Sequence, residues 1–182
     1  GFTSMLLKLI RAEEPDYLAV VFDAARRSFR HDVYPEYKAH RPPAPEDLVP
    51  QFPLIREVTR AFNIPAIERE DYEADDLIGT LATTFRDVCD VTVVTSDKDL
   101  MQLVGPGVSM LDTMKDKRYQ TAEVFEKMGV RPDQIIDYLA LMGDKSDNIP
   151  GVPGVGKKRA ADLLATHGSL KGIYQALGGG DP

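Results

Sequence analysis

The sequence predicts an α/β fold in which a mostly parallel central sheet is flanked by helices. Three observations carry that expectation. Two short apolar runs, residues 17–22 and 91–95, have strand length and are partly β-branched. Between them, Leu77, Ile78, Leu81, Ala82 and Phe85 recur at helical spacing. Strand-like and helix-like segments alternate along the chain, the order that builds parallel sheets.

The elements follow in turn. Met5, Leu6, Leu9 and Ile10 form a helical stripe that ends near Pro15. Residues 17–22 (YLAVVF) read as a buried strand closed by Asp23. Residues 24–45 are polar and basic and end in Pro42, Pro43 and Pro45, an exposed excursion. Residues 46–62 are helical in their second half, with Leu54, Ile55, Val58 and Phe62 on one face; Pro50 and Pro53 disturb the first half. A stronger helix spans 73–85. Residues 91–95 (VTVVT) and 108–111 are further strands, and Tyr119 begins a short hairpin arm. Residues 124–128 and 134–142 are helical. The stretch 148–156 (NIPGVPGVG) is dense in breakers. A basic helix then runs from Lys157 through Leu164, and a last helical piece covers 169–177. Two regions result: an α/β core over 1–143, including the excursion, and a separate region over 144–182.

Composition narrows the function classes. The chain has 182 residues, 29 Asp+Glu against 22 Lys+Arg, a net charge of −7 and 43% hydrophobic residues. That is ordinary globular content and excludes a uniformly basic polyanion binder. A single cysteine, Cys89, excludes a disulfide framework and a cysteine-based zinc site. His31, His40 and His167 are too far apart for a local metal motif. No apolar run reaches the ~18 residues of a membrane span, and no leader is visible. A reducing, cytoplasmic setting is expected. The Gly1-Phe2-Thr3 start and the glycine-rich 178–182 end read as cut from something longer.

The carboxylates are grouped. Asp23 follows one strand; Asp97 and Asp99 follow another. Glu73, Asp75 and Asp76 open a helix, and Asp144 and Asp147 open the loop after another. Acids at a helix N-terminus are favoured by its dipole without any function, and Asp after a strand is a common turn residue. In open parallel sheets, however, ligands gather outside the carboxyl ends of the strands. Like charges brought to one rim repel, and divalent cations are the simplest remedy. An all-oxygen ligand set favours Mg²⁺ or Mn²⁺ over zinc.

Two basic segments stand out. Residues 26–41 carry Arg26, Arg27, Arg30, Lys38 and Arg41 against Asp32 and Glu36, with Tyr34 and Tyr37 interleaved. They read either as a solvated loop or as a phosphate-contacting segment with rings for stacking. Residues 151–158 (GVPGVGKK) nearly match the nucleotide-binding G-x-x-x-x-G-K-[ST] loop, but Lys158 stands where a hydroxyl must hold Mg²⁺. A tight turn between two helices fits better. Gly154 and Gly156 would let the backbone approach a phosphate, held by helix-start amides with Lys157 and Lys158. A purely structural glycine turn is the competing reading.

Taken together, VVFDAARRSFRHDVYPEYKAHRP (20–42), YEADDLIGTLA (72–82), VTSDKDLMQLV (94–104) and IIDYLALMGDKSDNIPGVPGVGKK (135–158) resemble the 5′-nuclease domains of the flap-endonuclease and 5′–3′ exonuclease family, such as those of bacterial polymerases. The resemblance implies a PIN-like 5′-nuclease fold with a helical arch at 24–45 and a helix–three-turn–helix DNA grip in the C-terminal region. It implies hydrolysis of phosphodiester bonds at a DNA 5′ end or 5′ flap at a duplex junction in replication and repair, with an RNA primer strand as a further expected partner. Asp23, Glu73, Asp75, Asp76, Asp97, Asp99, Asp144 and Asp147 match the acids that bind two divalent cations, Mg²⁺ or Mn²⁺, directly or through water. Lys38 and Arg41 match catalytic basic residues near the scissile phosphate. Arg26, Arg27, Arg30, Tyr37, Gly154, Gly156, Lys157 and Lys158 fall in DNA-binding segments. Ser146 matches a residue that helps hold a monovalent cation such as K⁺. A monomer carrying a polymerase domain in its parent chain, in a bacterial, nucleoid-associated setting, is expected.

The family begins with a strand ending in Asp, in a sequence like V-D-G-S, ahead of the point matching Gly1. Its absence makes a non-catalytic DNA-binding fragment or a degenerate paralogue the alternative. A PIN-like ribonuclease ranks lower, because such domains generally lack the Gly-Pro turn and basic helix at 151–159. If the eight acids form one metal cluster, the rest of the chain carries 22 basic against 21 acidic residues. The net charge then reports a concentrated site rather than an acidic surface.

Overall fold

The computed structural model describes residues 1–178. In order, its elements are α1 (Phe2–Glu13), β1 (Val20–Val21), α2 (Arg30–Val33), α3 (Gln51–Ala61), β2 (Ala66–Ile67), α4 (Ala74–Phe85), β3 (Val91–Val94), a 3₁₀ helix (Lys98–Leu103), β4 (Val108–Asp112), β5 (Lys117–Tyr119), α5 (Thr121–Met128), a second 3₁₀ helix (Pro132–Gln134), α6 (Ile135–Met142), α7 (Lys157–His167) and α8 (Leu170–Ala176). The chain forms two compact units. One is Gly1–Tyr34 with Arg41–Ile78, the other Pro35–His40 with the described residues from Gly79 onward.

In the first unit β1 and β2 pair in parallel, Val20 opposite Ala66 and Val21 opposite Ile67. The expected strand over 17–22 is thereby cut to two residues, and Tyr17 is exposed. Its partner, closed in by Pro65 and the charged run after Ile67, offers no more. Helix α3 begins earlier than the prolines suggest. Pro50 sits at its cap and Pro53 in its first turn, where backbone N–H groups have no helical acceptor to lose. Its apolar stripe is not fully covered: Leu54 and Phe62 are exposed, while the buried residue is Thr59. The Thr59 hydroxyl donates to the Ile55 carbonyl at 2.9 Å, which satisfies it inside the helix. The excursion over 24–45 is not exposed throughout, since Ser28 and Tyr37 are buried.

In the second unit β3 and β4 pair in parallel from Val91↔Val108 to Val94↔Leu111. β5 folds back antiparallel on β4, with Met110 opposite Tyr119. Tyr119 therefore ends the hairpin arm instead of beginning it. Its ring joins a core with Met101, Met110, Val124, Ile135 and Leu164. Gln134 is buried between helices and donates to the Leu164 and Gly168 carbonyls at 3.1 and 2.9 Å. The loop after α6 closes on itself. Asp144 and Ile149 exchange backbone hydrogen bonds of 2.9 and 2.7 Å. Gly143 (φ 80°) and Gly151 lie backbone to backbone, leaving no room for a Cβ on either. Among the described residues no helix is long and apolar enough to cross a membrane.

Candidate metal centre and nucleic-acid interface

The first unit gathers acids at the start of α4. Asp23, two residues after β1, is exposed, and its Oδ1 accepts the Ala74 N–H at 2.8 Å. This bond ties the strand end to the first residue of the helix. Glu73 lies just before the helix, not within it. Its N–H donates to Asp76 Oδ2 at 3.0 Å, a capping contact, and its Oε1 accepts the Ser28 hydroxyl at 3.0 Å. Asp76 receives both guanidinium nitrogens of Arg30, at 2.7 and 2.6 Å. Asp75 is exposed on the first turn. Protein donors thus hold Asp23, Glu73 and Asp76.

The basic residues of this unit are also engaged. Arg30 lies over the Phe29 ring, 4.7 Å from its centroid. Arg27 pairs with Asp32, both largely exposed, and Arg26 donates to the Pro42 carbonyl at 3.3 Å. Arg41 is exposed. Phe29 and Tyr72, 5.8 Å apart and both exposed, are the open rings of this region.

The second unit holds the other acids. Asp97 caps the 3₁₀ helix, its Oδ1 accepting the Asp99 N–H at 2.9 Å. Asp144 is buried, and its Oδ1 accepts the N–H groups of Ser146 (2.6 Å) and Asp147 (3.3 Å). Lys98 extends its Nζ to 3.4 Å from Asp144 Oδ2 and 3.7 Å from Asp99 Oδ1. Asp99 Oδ1 is buried and takes no hydrogen bond. Burial pushes the Asp99 carboxyl up to about 6; Asp97, Asp144 and Asp147 add to the rise against the pull of Lys98. Burial also pushes the Asp144 carboxyl up, but the Ser146 N–H, Lys98 and the Asp147 N–H outweigh it and leave it lowered. Asp147 accepts the Tyr37 hydroxyl at 3.0 Å, and its carbonyl accepts the Lys38 N–H at 3.0 Å. Asn148 Nδ2 donates to the Glu36 carbonyl at 2.7 Å.

This clip accounts for residues 36–38. Tyr37 is 6% exposed, so its ring is packed rather than open for stacking. Lys38 adopts a left-handed backbone (φ 55°) with its ammonium 4.8 Å from the Tyr37 ring centre. Ser146 is exposed beside Asp144.

Among the described residues no three His, Cys, Asp or Glu side chains converge tightly enough to hold an ion as they stand. The donor chemistry nevertheless fits a hard divalent cation. Asp99 offers a buried oxygen with no hydrogen bond, and Asp144 directs its second oxygen to Lys98, a cation.

At the turn before α7, Gly154 has φ 78° and needs to be glycine for its backbone. Gly156 is extended (φ −97°), and a Cβ there would meet nothing within 4 Å. Among the described residues nothing requires Gly156. Lys157 and Lys158 are exposed on the first turn of α7, which has no side-chain cap. Helix α6, not a strand, precedes the loop, which removes the context a nucleotide-binding loop needs.

Sequence reading passed over Ser28, Arg56 and Lys98. Ser28 and Arg56 act on carboxylates or carbonyls far off in sequence: Arg56 donates to Glu68 at 2.9 Å and to the Asp23 carbonyl at 2.9 Å. Lys98 had a visible signal, a lysine enclosed by two aspartates.

Comparison with known proteins agrees in extent and kind. Residues 1–129 match the family model of the 5′-3′ exonuclease N-terminal resolvase-like domain. Residues 130–181 match that of the 5′-3′ exonuclease C-terminal SAM fold. DNA polymerase I of Rhizobium leguminosarum is 52% identical over 183 residues, covering 96% of this chain and 18% of that protein. The 5′-3′ exonuclease of Aquifex aeolicus is 45% identical over 96% of this chain and 61% of its own length. The chain therefore spans about a fifth of the polymerase and less than two thirds of the exonuclease. Among solved structures, T5 5′-exonuclease with bound divalent zinc ions superposes with a TM-score of 0.83 at 26% identity, over 97% of this chain and 69% of that one. The catalytic core of Rad2 with DNA substrate shares the fold, with a TM-score of 0.62 at 18% identity, over 96% of this chain and 54% of that one.

Proposed function

We propose, since the chain belongs to the 5′-3′ exonuclease family, that it is the metal-dependent nuclease portion of a longer DNA-processing protein. Its reaction is hydrolysis of a phosphodiester bond near a DNA 5′ end or 5′ flap. The observation that carries this reading is the Asp99 carboxylate, buried in part, without a hydrogen bond on one oxygen, and set among Asp97, Asp144 and Asp147. A divalent cation there would relieve the repulsion among these acids.

In the second unit Asp97, Asp99, Asp144 and Asp147 would hold divalent ions, Mg²⁺ or Mn²⁺. In the first unit Asp23, Glu73, Asp75 and Asp76 would do so, in part through water. Such ions, when bound, supply a nucleophilic water and neutralise charge on the phosphate. The chain's own residues do the rest. Lys38 and Arg41 offset negative charge on the scissile phosphate. Arg26, Arg27 and Arg30 line the path of the 5′ strand. Gly154 and Gly156 leave backbone room for a duplex phosphate, which the α7 amides, Lys157 and Lys158 hold. Ser146 would help hold a monovalent cation such as K⁺. An RNA strand is a second substrate class.

No Ser, Cys or His nucleophile is needed, and recognition rests on strand junction shape rather than base edges. Mg²⁺-dependent cleavage of a labelled 5′-flap DNA tests the reading; absence of ion-dependent cleavage by the parent protein would overturn it. For the grip, replacing both Lys157 and Lys158 by Ala should weaken duplex binding and lower the slope of log K against log salt by about 1–2. An unaltered slope would reduce the turn to a structural element.

A further inference from the structure

Lys98 lies inside the acid group of the second unit, and its geometry is unlike that of a structural ion pair. Its Nζ is 3.4 Å from Asp144 and 3.7 Å from Asp99, longer than the ~2.7–2.9 Å of a well-made ammonium–carboxylate bond. Lys115 and Asp112, elsewhere in the same unit, meet at 2.9 Å. The Lys98 backbone is fixed where Asp97 caps the 3₁₀ helix. Its side chain remains 43% exposed, a long stem with an open route to water. One positive charge faces Asp97, Asp99 and Asp144 and leaves Asp99 Oδ1 without a hydrogen bond.

We propose that Lys98 is a built-in surrogate for a divalent cation: its ammonium occupies the space between Asp99 and Asp144 in the ion-free protein and must leave when an ion binds. The proposal rests on the metal centre argued above. It makes ion binding an exchange, in which the lysine's attraction to the acids subtracts from the ion's affinity. The same lysine keeps the like-charged acids together when no ion is present. The exchange is a side-chain movement and breaks no covalent bond.

Mn²⁺ titration of the 182-residue chain by calorimetry, with wild type, Lys98→Met and Lys98→Arg, tests it. Lys98→Met should bind Mn²⁺ about tenfold or more tightly, since a positive charge within 4 Å of the ion's ligands is gone. Its ion-free melting temperature should fall, and its Mn²⁺-induced rise should exceed that of wild type. Lys98→Arg, which keeps the charge, should bind close to wild type. Equal or weaker binding by Lys98→Met would overturn the proposal and leave the metal centre standing. No Mn²⁺ binding by any of the three would overturn both. A measurement on the unaltered chain guards against a misfolded variant. The Lys98 ε-methylene resonance should shift on Mg²⁺ addition, and a signal that stays fixed while Mg²⁺ binds would refute the exchange.

Discussion

The carboxylates of the two units differ in what satisfies them. In the first, Asp23, Glu73 and Asp76 receive an amide, a hydroxyl and a guanidinium from the protein itself. In the second, Asp99 keeps a buried oxygen without a hydrogen bond while three other acids act on it. Burial alone does not explain the contrast. Asp112 is wholly buried, yet it accepts the Met114 and Lys115 N–H groups at 3.1 and 3.2 Å and the Lys115 ammonium at 2.9 Å. Its carboxyl is held below the usual range, chiefly by the Lys115 side-chain bond, whereas that of Asp99 is pushed up to about 6. Supply of donors, not depth, sets the carboxyl of Asp112 low and that of Asp99 high.

The largest effect should come from Asp99. Asp99→Asn should lower Mg²⁺-dependent flap cleavage about a hundredfold or more while leaving the melting temperature unchanged or raised, because a crowded charge is removed. Wild-type turnover in this variant would erase the distinction drawn here. Next is Asp76→Ala, which strips Arg30 of its bidentate partner and Glu73 of its capping contact. The expected cost is about 1–3 kcal/mol in urea unfolding, less than for a fully buried pair because both side chains keep some exposure. Unchanged stability would mean the Arg30 pair adds nothing to the fold. The smallest effect concerns pH. Because the folded state lowers the Asp112 carboxyl below its ordinary 3.8, its contribution is full above about pH 4. It is lost as pH falls through the lowered value. Asp112→Asn should remove that part of the acid limb in melting curves taken from pH 6 to 2; an identical limb would mean the Lys115 bond does not persist in solution.

Much of this was legible in the chain. Helices α4, α5 and α6 and the strands β3 and β4 follow periodicity, which reports one face of burial and little else. The acids' places at strand ends and helix starts were visible in sequence, whereas their division between two units was not. What sequence could not give is partnership. Ser28 meets Glu73 across 45 residues and Arg30 meets Asp76 across 46, distances at which no local pattern operates. Tyr37 looked like a ring open for stacking, and only its hydroxyl bond to Asp147 shows why it is packed. β2 escaped notice because two residues between a proline and a charged run have no period to read.

The clip between residues 36–38 and 147–148 also bears on the order in which the chain is made. Tyr37 leaves the ribosome 110 residues ahead of its acceptor. At about 5–20 residues per second, its hydroxyl and the Lys38 amide wait roughly 5–20 s for Asp147. Until then the hydrogen bonds to Asp147 and Asn148 cannot form. Residues 36–38 are thus made well before the segment that clips them, and they can take their native place only after residues 147–148 have emerged.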